Sequence, residues 1–376
     1  MIPFNIPLVT GKEIRYLSKV LKNKKFSGEG FFAKKCNEWL EKTARVKRAL
    51  LTSSCTQALE MSAILIDIKN GDEVIMPSYT FPSTANAFVL RGAKVVFVDI
   101  RPDTMNLDEK KIKDAITKKT KAIVVMHYAG VGCEMDTIMR TANSYNLFVI
   151  EDAAQGIMAS YKKRLLGSIG HIGCLSFHET KNFHCGEGGA ILLNDKRFIE
   201  RAEVIREKGT NRRKFLRGEI DKYTWVDVGS SYLISELNAA FLYSHFNLAD
   251  KTLNKRLKLW ERYFKDLIPL EENNLLDLPL IPLECKHNAH IFYIKLKNIE
   301  ERQMMLNYLR KNGIQAAHHY LPLHLSYAGK KYGVLKGTDK YTSEESDRLL
   351  RLPLYYSLSF RNIDFVCNTI KDFFYD

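Results

Sequence analysis

Glu151-Asp152-Ala153-Ala154-Gln155, then Ser176-Phe177-His178-Glu179-Thr180-Lys181-Asn182, then Gly186-Glu187-Gly188-Gly189-Ala190 bring an acid, an amine and a glycine-rich turn together within one short segment. Lys181 follows Asp152 by 29 positions, and Asp152 itself follows the apolar run 147–150. On residue type alone, a lysine after an apolar run is most often a solvated strand-end residue, and a carboxylate at a strand end is an ordinary helix cap. Pyridoxal phosphate chemistry needs the same groups for another reason. An amine holds the cofactor aldehyde as a Schiff base, and a carboxylate keeps the pyridine nitrogen protonated so that the ring accepts electrons from a carbanion.

Working outward, short apolar runs alternate with helical patterns from residue 49 onward. Ala49-Leu50-Leu51-Thr52 precedes a helical stretch that opens at Thr56, Glu73-Val74-Ile75-Met76 precedes another over 83–90, and the runs 94–98, 121–126 and 147–150 continue the series. Apolar strands buried on both faces and separated by helices predict a mainly parallel sheet in a three-layer α/β domain. Ligands then gather at the carboxyl ends of the strands. A helical pattern over about 234–267, free of internal proline and glycine, reads as the link into a second domain. The apolar run 290–296, a helix over 301–312 ended by Gly313, and a final helix over about 363–374 predict that second domain to be small and α+β. The expected division is 1–250 for the large domain and 251–376 for the small one.

The wording of the central stretch narrows the chemistry. Ser-Phe-His-x-x-Lys-Asn, preceded by Glu-Asp-Ala-Ala-Gln and followed by Gly-Glu-Gly-Gly, resembles the sugar-nucleotide aminotransferases of the DegT/DnrJ family, which have the aspartate-aminotransferase fold (fold type I). The resemblance begins at Ile2-Pro3-Phe4-Asn5, continues through Gly71-Asp72-Glu73-Val74-Ile75-Met76-Pro77-Ser78-Tyr79-Thr80-Phe81 and Phe97-Val98-Asp99, and returns at Leu352-Pro353-Leu354. It implies a pyridoxal 5'-phosphate enzyme that passes through pyridoxamine 5'-phosphate. Lys181 would be the Schiff-base lysine and proton carrier, and Asp152 the partner of the pyridine nitrogen. Gln155 would bond the phenolic oxygen, Phe81 would stack on the ring, and Thr56, the Gln57 amide and Ser176 would grip the phosphate. His178 would line the sugar pocket, and His319, Tyr320 and His324 would lie in the segment that closes over the substrate.

Residue chemistry supports the phosphate assignment in a general way. Thr52-Ser53-Ser54-Cys55-Thr56-Gln57 is a strand-to-helix turn whose free N–H groups attract a dianion, although Ser and Thr are also plain helix caps. Two departures from the family pattern stand out. Cys55 replaces the usual glycine, and Ser231 stands where many members carry an asparagine that reaches a neighbouring subunit's cofactor phosphate. A dehydratase of the same family would carry histidine in place of Lys181.

Arg101-Pro102-Asp103-Thr104-Met105-Asn106, Glu207-Lys208-Gly209-Thr210-Asn211-Arg212 and Asp221-Lys222-Tyr223-Thr224-Trp225 are similar to the branch that aminates dTDP-4-keto-6-deoxyglucose at C4. The resemblance implies L-glutamate as donor, a galacto product for cell-surface polysaccharide such as lipopolysaccharide, and a homodimer with shared active sites. The gluco epimer, amination of a 3-keto sugar and a non-enzymatic sugar-nucleotide binding protein are the alternatives.

Composition narrows the field further. The chain has 57 Lys and Arg against 43 Asp and Glu, a net charge of +14, but its densest clusters, 22–25, 118–121 and 212–214, are short and read as solvated faces. Nucleic acid is therefore not an expected partner. No run of 18 or more apolar residues occurs and no basic segment leads into an apolar one near the start, so neither a membrane span nor a signal peptide is expected, and the expected location is the cytoplasm. Seven cysteines, an odd number without a close pair, argue against a disulfide framework and against a metal site.

Overall fold

The computed structural model describes residues 1–375. Eight strands form the central sheet in the order Arg48–Thr52, Gly189–Leu193, Ile172–Ser176, Phe148–Asp152, Thr120–Met126, Glu73–Pro77, Lys94–Val98 and Gly333–Leu335. Every pairing is parallel except the two made by Gly189–Leu193. Because side chains alternate along a strand, each apolar run feeds two cores. Leu51, Ile75, Ile123, Val125, Val149 and Leu192 face one, packed under helices Phe31–Ala44 and Glu236–Phe246. Leu50, Val74, Val124, Ile150 and Ile191 face the other, under Cys55–Leu65 and Pro82–Val89. This is the three-layer α/β architecture of fold type I.

The register sets the site. Asp152 is the last residue of its strand and pairs with Met126 on one side and Cys174 on the other. Thr52 and Ser176 both pair with Gly189, so the ends of three strands and the glycine-rich turn meet at one edge of the sheet. A Cβ on Gly189 would collide with the Ser54 and Cys55 backbone, so only glycine lets the returning strand pass beneath that turn.

The helical pattern over 234–267 is not one helix. It divides into Glu236–Phe246 and Ala249–Glu272, with Leu248 leaving helical geometry at φ −121° and ψ 17°. The reason is packing: Ala239, Ala240, Leu242 and Phe246 belong to the large core, whereas Leu259, Trp260, Tyr263 and Leu267 belong to a separate one. A straight helix cannot aim both apolar faces at two different cores. That separate core is completed by the antiparallel pair Phe292–Lys295 and Leu349–Leu352 and by helices Ile299–Lys311 and Phe360–Tyr375. A division near residue 250 remains our proposal, with chain crossing it in both directions: Ile2 bridges Ile314 and joins the small core, and Gly333–Leu335 extends the large sheet. No helix among the described residues is long and apolar enough to cross a membrane.

Candidate active site

A cavity of about 350 Å³ opens at the carboxyl edge of the sheet. Thr56, Phe81, Asp152, Gln155 and Ser176 line it, and so do His178, Lys181, His319 and Tyr320. The structure thus brings nine of the expected residues to one space.

Hydroxyls and helix starts form one part of the wall. Ser54 caps the helix Cys55–Leu65 by accepting the Gln57 N–H at 3.2 Å, and Thr56 Oγ1 donates to Ser83 Oγ at 2.8 Å. Ser83 opens the helix Pro82–Val89, so two helix N-termini and several hydroxyls face the same volume. Gln57 does not line the cavity: its N–H serves the cap, and its Oε1 accepts the Ser53 N–H at 3.1 Å.

Asp152 is buried and held from two sides. Thr84 Oγ1 donates to Oδ2 at 2.6 Å, and the Ala154 N–H donates to Oδ1 at 3.1 Å. Burial raises the pKa of this carboxyl, and these hydrogen bonds and the charge of Lys181 pull the other way. Thr84 was missed in the sequence because a threonine three residues after Phe81 looks like any residue in a first helical turn. Thr84→Val is expected to leave the buried carboxylate one donor short and to destabilise the protein by about 1–3 kcal/mol, seen as a lower urea midpoint at constant slope.

Lys181 sits in a pinned turn, with its N–H on His178 O and the flanking Phe177 and Cys185 amides bonded to Gly188 O and Phe177 O. Gly186 supplies the positive φ, +79°, that this turn requires. Asn182 anchors the turn further, donating from Nδ2 to Asn288 O at 2.8 Å and accepting from His290 at 3.2 Å. The Lys181 amine makes no hydrogen bond or ion pair among the described residues, and its remaining exposure is to the cavity. Desolvation brings its pKa down to about 8, aided by Arg351 and opposed by Cys55 and Asp152.

The other expected residues divide. Gln155 is buried, accepts the Ala129 N–H and donates from Nε2 to Tyr320 Oη at 3.0 Å. Phe81 keeps 55% of its surface exposed, unusual for a core Phe, and its ring lies 6.0 Å from that of Tyr320. His178 is half-buried beside Thr180 and Glu187. His324 is not in the cavity: Nδ1 bonds Ser78 Oγ at 2.7 Å and Nε2 bonds Asp339 at 2.9 Å, which uses both ring nitrogens. Ser231 is exposed, bridges to Glu207 and lies outside this chain's cavity.

The family model for DegT/DnrJ/EryC1/StrS aminotransferases matches residues 7–371. The chain belongs to that family. GDP-perosamine synthase of Escherichia coli O157:H7 is 29% identical over 379 residues, covering 100% of this chain and 99% of that one. The spore coat polysaccharide biosynthesis protein SpsC of Bacillus subtilis is 29% identical over 379 residues, covering 99% and 96%. Among solved structures, S. venezuelae DesV in complex with a ketimine intermediate superimposes with a TM-score of 0.89 at 25% identity, covering 99% and 98%.

This DegT/DnrJ aminotransferase is a pyridoxal 5'-phosphate protein, and its cavity suits the cofactor. Hydroxyls at two helix starts match a phosphate dianion, a fixed buried carboxylate matches a pyridinium nitrogen, and a partnerless amine matches an aldehyde.

Proposed function

We propose that this aminotransferase moves an amino group from L-glutamate to C4 of dTDP-4-keto-6-deoxy-D-glucose, giving 2-oxoglutarate and dTDP-4-amino-4,6-dideoxy-D-galactose for cell-surface polysaccharide. The observation that carries the transaminase reading is the Lys181 amine, partnerless and lowered in pKa to about 8, in one cavity with the Asp152 carboxylate. A neutral fraction of amine is then present near neutral pH. The sugar reading is supported by the segments 101–106, 207–212 and 221–225 and by the relatives named for polysaccharide synthesis and for a GDP-linked sugar. That last relative favours one second reading, a GDP-linked keto sugar as acceptor.

When bound, the cofactor supplies an electron sink for the carbanion at the substrate carbon. The chain's residues do the rest. Thr56 and Ser176 would hold the phosphate, with Ser83 beside them; the Gln57 amide would join only by sharing its cap bond with Ser54. Phe81 would stack on the ring. Asp152 would keep the proton on the pyridine nitrogen, and Gln155 would donate to the phenolic oxygen. Lys181 would hold the cofactor and carry the proton to and from the substrate carbon. His178, His319 and Tyr320 face the sugar, and His324 acts only by fixing Ser78 and Asp339.

Identifying the product by NMR after incubation with glutamate and 4-keto or 3-keto sugars linked to dTDP or GDP tests the reading. Amination at C4 of the dTDP sugar with galacto stereochemistry is expected. Exclusive turnover of a 3-keto or GDP-linked substrate would replace it.

We also propose a cytoplasmic homodimer. Trp225 and Val226, adjacent and 76% and 52% exposed in the loop that carries Ser231, are apolar surface that a second subunit could cover. Light scattering should give twice 43.3 kDa. A fully active monomer at working concentration would refute the dimer.

A further inference from the structure

One nitrogen in the cavity wall has no part in the roles above. His290, two residues before the strand Phe292–Lys295, is buried, and it lines the same cavity as Lys181 and Asp152. Its backbone is pinned on both sides: the N–H donates to Asn288 Oδ1 at 3.1 Å, and the carbonyl accepts from Arg256 Nη2 at 2.9 Å. The ring therefore starts from a fixed point.

The neighbours also decide which ring nitrogen carries the proton. Asn182 lies 2.8 Å from the Asn288 carbonyl, and a carbonyl only accepts, so the Asn182 NH2 group points there and its Oδ1 points at His290. That oxygen is 3.2 Å from His290 Nδ1 and needs a donor. The proton is thus on Nδ1, and Nε2 keeps its lone pair. Burial pushes the pKa well below the usual imidazole range, and the charges of Lys181, Arg351 and Arg256 act in the same direction, so the ring stays neutral. Among the described residues nothing donates to Nε2, and it is not sealed inside the protein. Its partner must come from the cavity.

Few ligand groups qualify. A neutral acceptor does not bind a carboxylate or a phosphate. The cofactor's pyridinium N–H belongs to Asp152 in the proposed arrangement, and its phosphate and phenolic oxygens themselves want donors. The amino donor's nitrogen is the reacting atom, and its carboxylates are acceptors too. A sugar is the ligand that brings hydroxyl donors. Asn182, which holds the ring, is the residue after Lys181, so this wall lies at the reacting end of the cavity. Of the two ring carbons flanking the ketone of a 4-keto-6-deoxy sugar, only C3 carries a hydroxyl.

We propose that His290 is a specificity-determining residue for the acceptor: its Nε2 accepts a hydrogen bond from the hydroxyl on the carbon beside the ketone. The proposal rests on the acceptor being a keto sugar, whichever nucleotide it carries. A buried acceptor left unpaired is costly, so a sugar without that hydroxyl should be rejected.

The test compares a 4-keto-6-deoxy sugar with its 3-deoxy analogue, each linked to dTDP and to GDP, using the cofactor-loaded protein and the variants His290→Asn and His290→Gln. An asparagine amide sits where Nδ1 was, keeping the bond to Asn182 and removing the cavity acceptor; a glutamine amide oxygen reaches the Nε2 position. Wild type is expected to favour the hydroxylated sugar by about a hundredfold in kcat/KM, His290→Asn by less than about fivefold, and His290→Gln by an intermediate factor. Because each protein is compared with itself on two sugars, general damage to the site cancels. Nitrogen-15 NMR of the unloaded protein adds a reading free of turnover, in which His290 should carry its proton on Nδ1 at neutral pH. The opposite tautomer, a wild-type ratio near one, or a ratio that His290→Asn leaves intact would each overturn the proposal while the sugar reading stands. Wild-type protein that aminated neither sugar would remove the sugar reading and this proposal with it.

Discussion

Lys181→Ala is expected to lower turnover by at least about five orders of magnitude, because in the proposed mechanism one substitution removes both the group that would bind the cofactor covalently and the group that would move the proton. Loss of the amine should leave phosphate and ring contacts in place, so cofactor is expected to remain bound in part. Turnover near the wild-type level would sink the assignment. The same residue should have the opposite effect on the fold. Its amine is desolvated with no acid paired to it among the described residues, and its pKa falls from 10.5 to about 8. The unfolded chain therefore binds the proton more readily, and this lysine weakens the unloaded protein below pH 8. The penalty disappears as pH rises from 8 to 10.5. Lys181→Met is expected to stabilise the unloaded protein at pH 7 by up to about 3 kcal/mol, and to do little at pH 10.5. Urea unfolding at the two pH values checks it. Equal midpoint shifts at both would mean that packing, not charge, decides.

Asp152→Asn carries the second large expectation: a fall of at least about a hundredfold in the rate of each half-reaction, or about 3 kcal/mol of transition-state stabilisation. Asparagine keeps the shape but removes the charge that, in the proposed mechanism, would hold a proton on the pyridine nitrogen, so the loss should fall on chemistry rather than on binding. The structure sharpens the comparison with a purely structural acid. Asp152 accepts both from Thr84 and from the Ala154 amide, and one asparagine oxygen can serve only one of these positions. Thr84 Oγ1 also lies 2.8 Å from Thr80 Oγ1, so its hydroxyl can turn and accept from the new NH2 group. Burial raises the carboxyl's pKa, so its charge weakens the unloaded fold at neutral pH, and asparagine removes that charge. The fold should survive while both half-reactions slow together. Single-turnover conversion with glutamate at the wild-type rate would remove Asp152 from the mechanism.

The homodimer and the Thr84 hydrogen bond are smaller in effect, but they differ in how legible they were. Asp152, Lys181 and the glycine-rich turn could be read because each lies next to an apolar run, where strand periodicity and short-range turn chemistry are written in neighbouring residues. The alternation of Leu50 with Leu51 and of Val124 with Val125 likewise encodes a sheet buried on both faces, since a period of two depends only on the backbone. Sequence by itself therefore determined the three-layer fold, the family and the residues at the sheet's carboxyl edge. Tertiary structure decided what depends on distant segments meeting. The break at Asn247 and Leu248 exists because two cores compete for one helical stripe, and neither core is visible in that stretch alone. Thr84 meets Asp152 across 68 positions and Arg351 meets His319 across 32, contacts that no local pattern marks. For the same reason Gln57 and His324, singled out by residue type, have their polar groups already engaged by Ser53, Ser54, Ser78 and Asp339. A side chain's chemistry is set by its type, but its availability is set by whichever neighbours the fold brings within hydrogen-bonding distance.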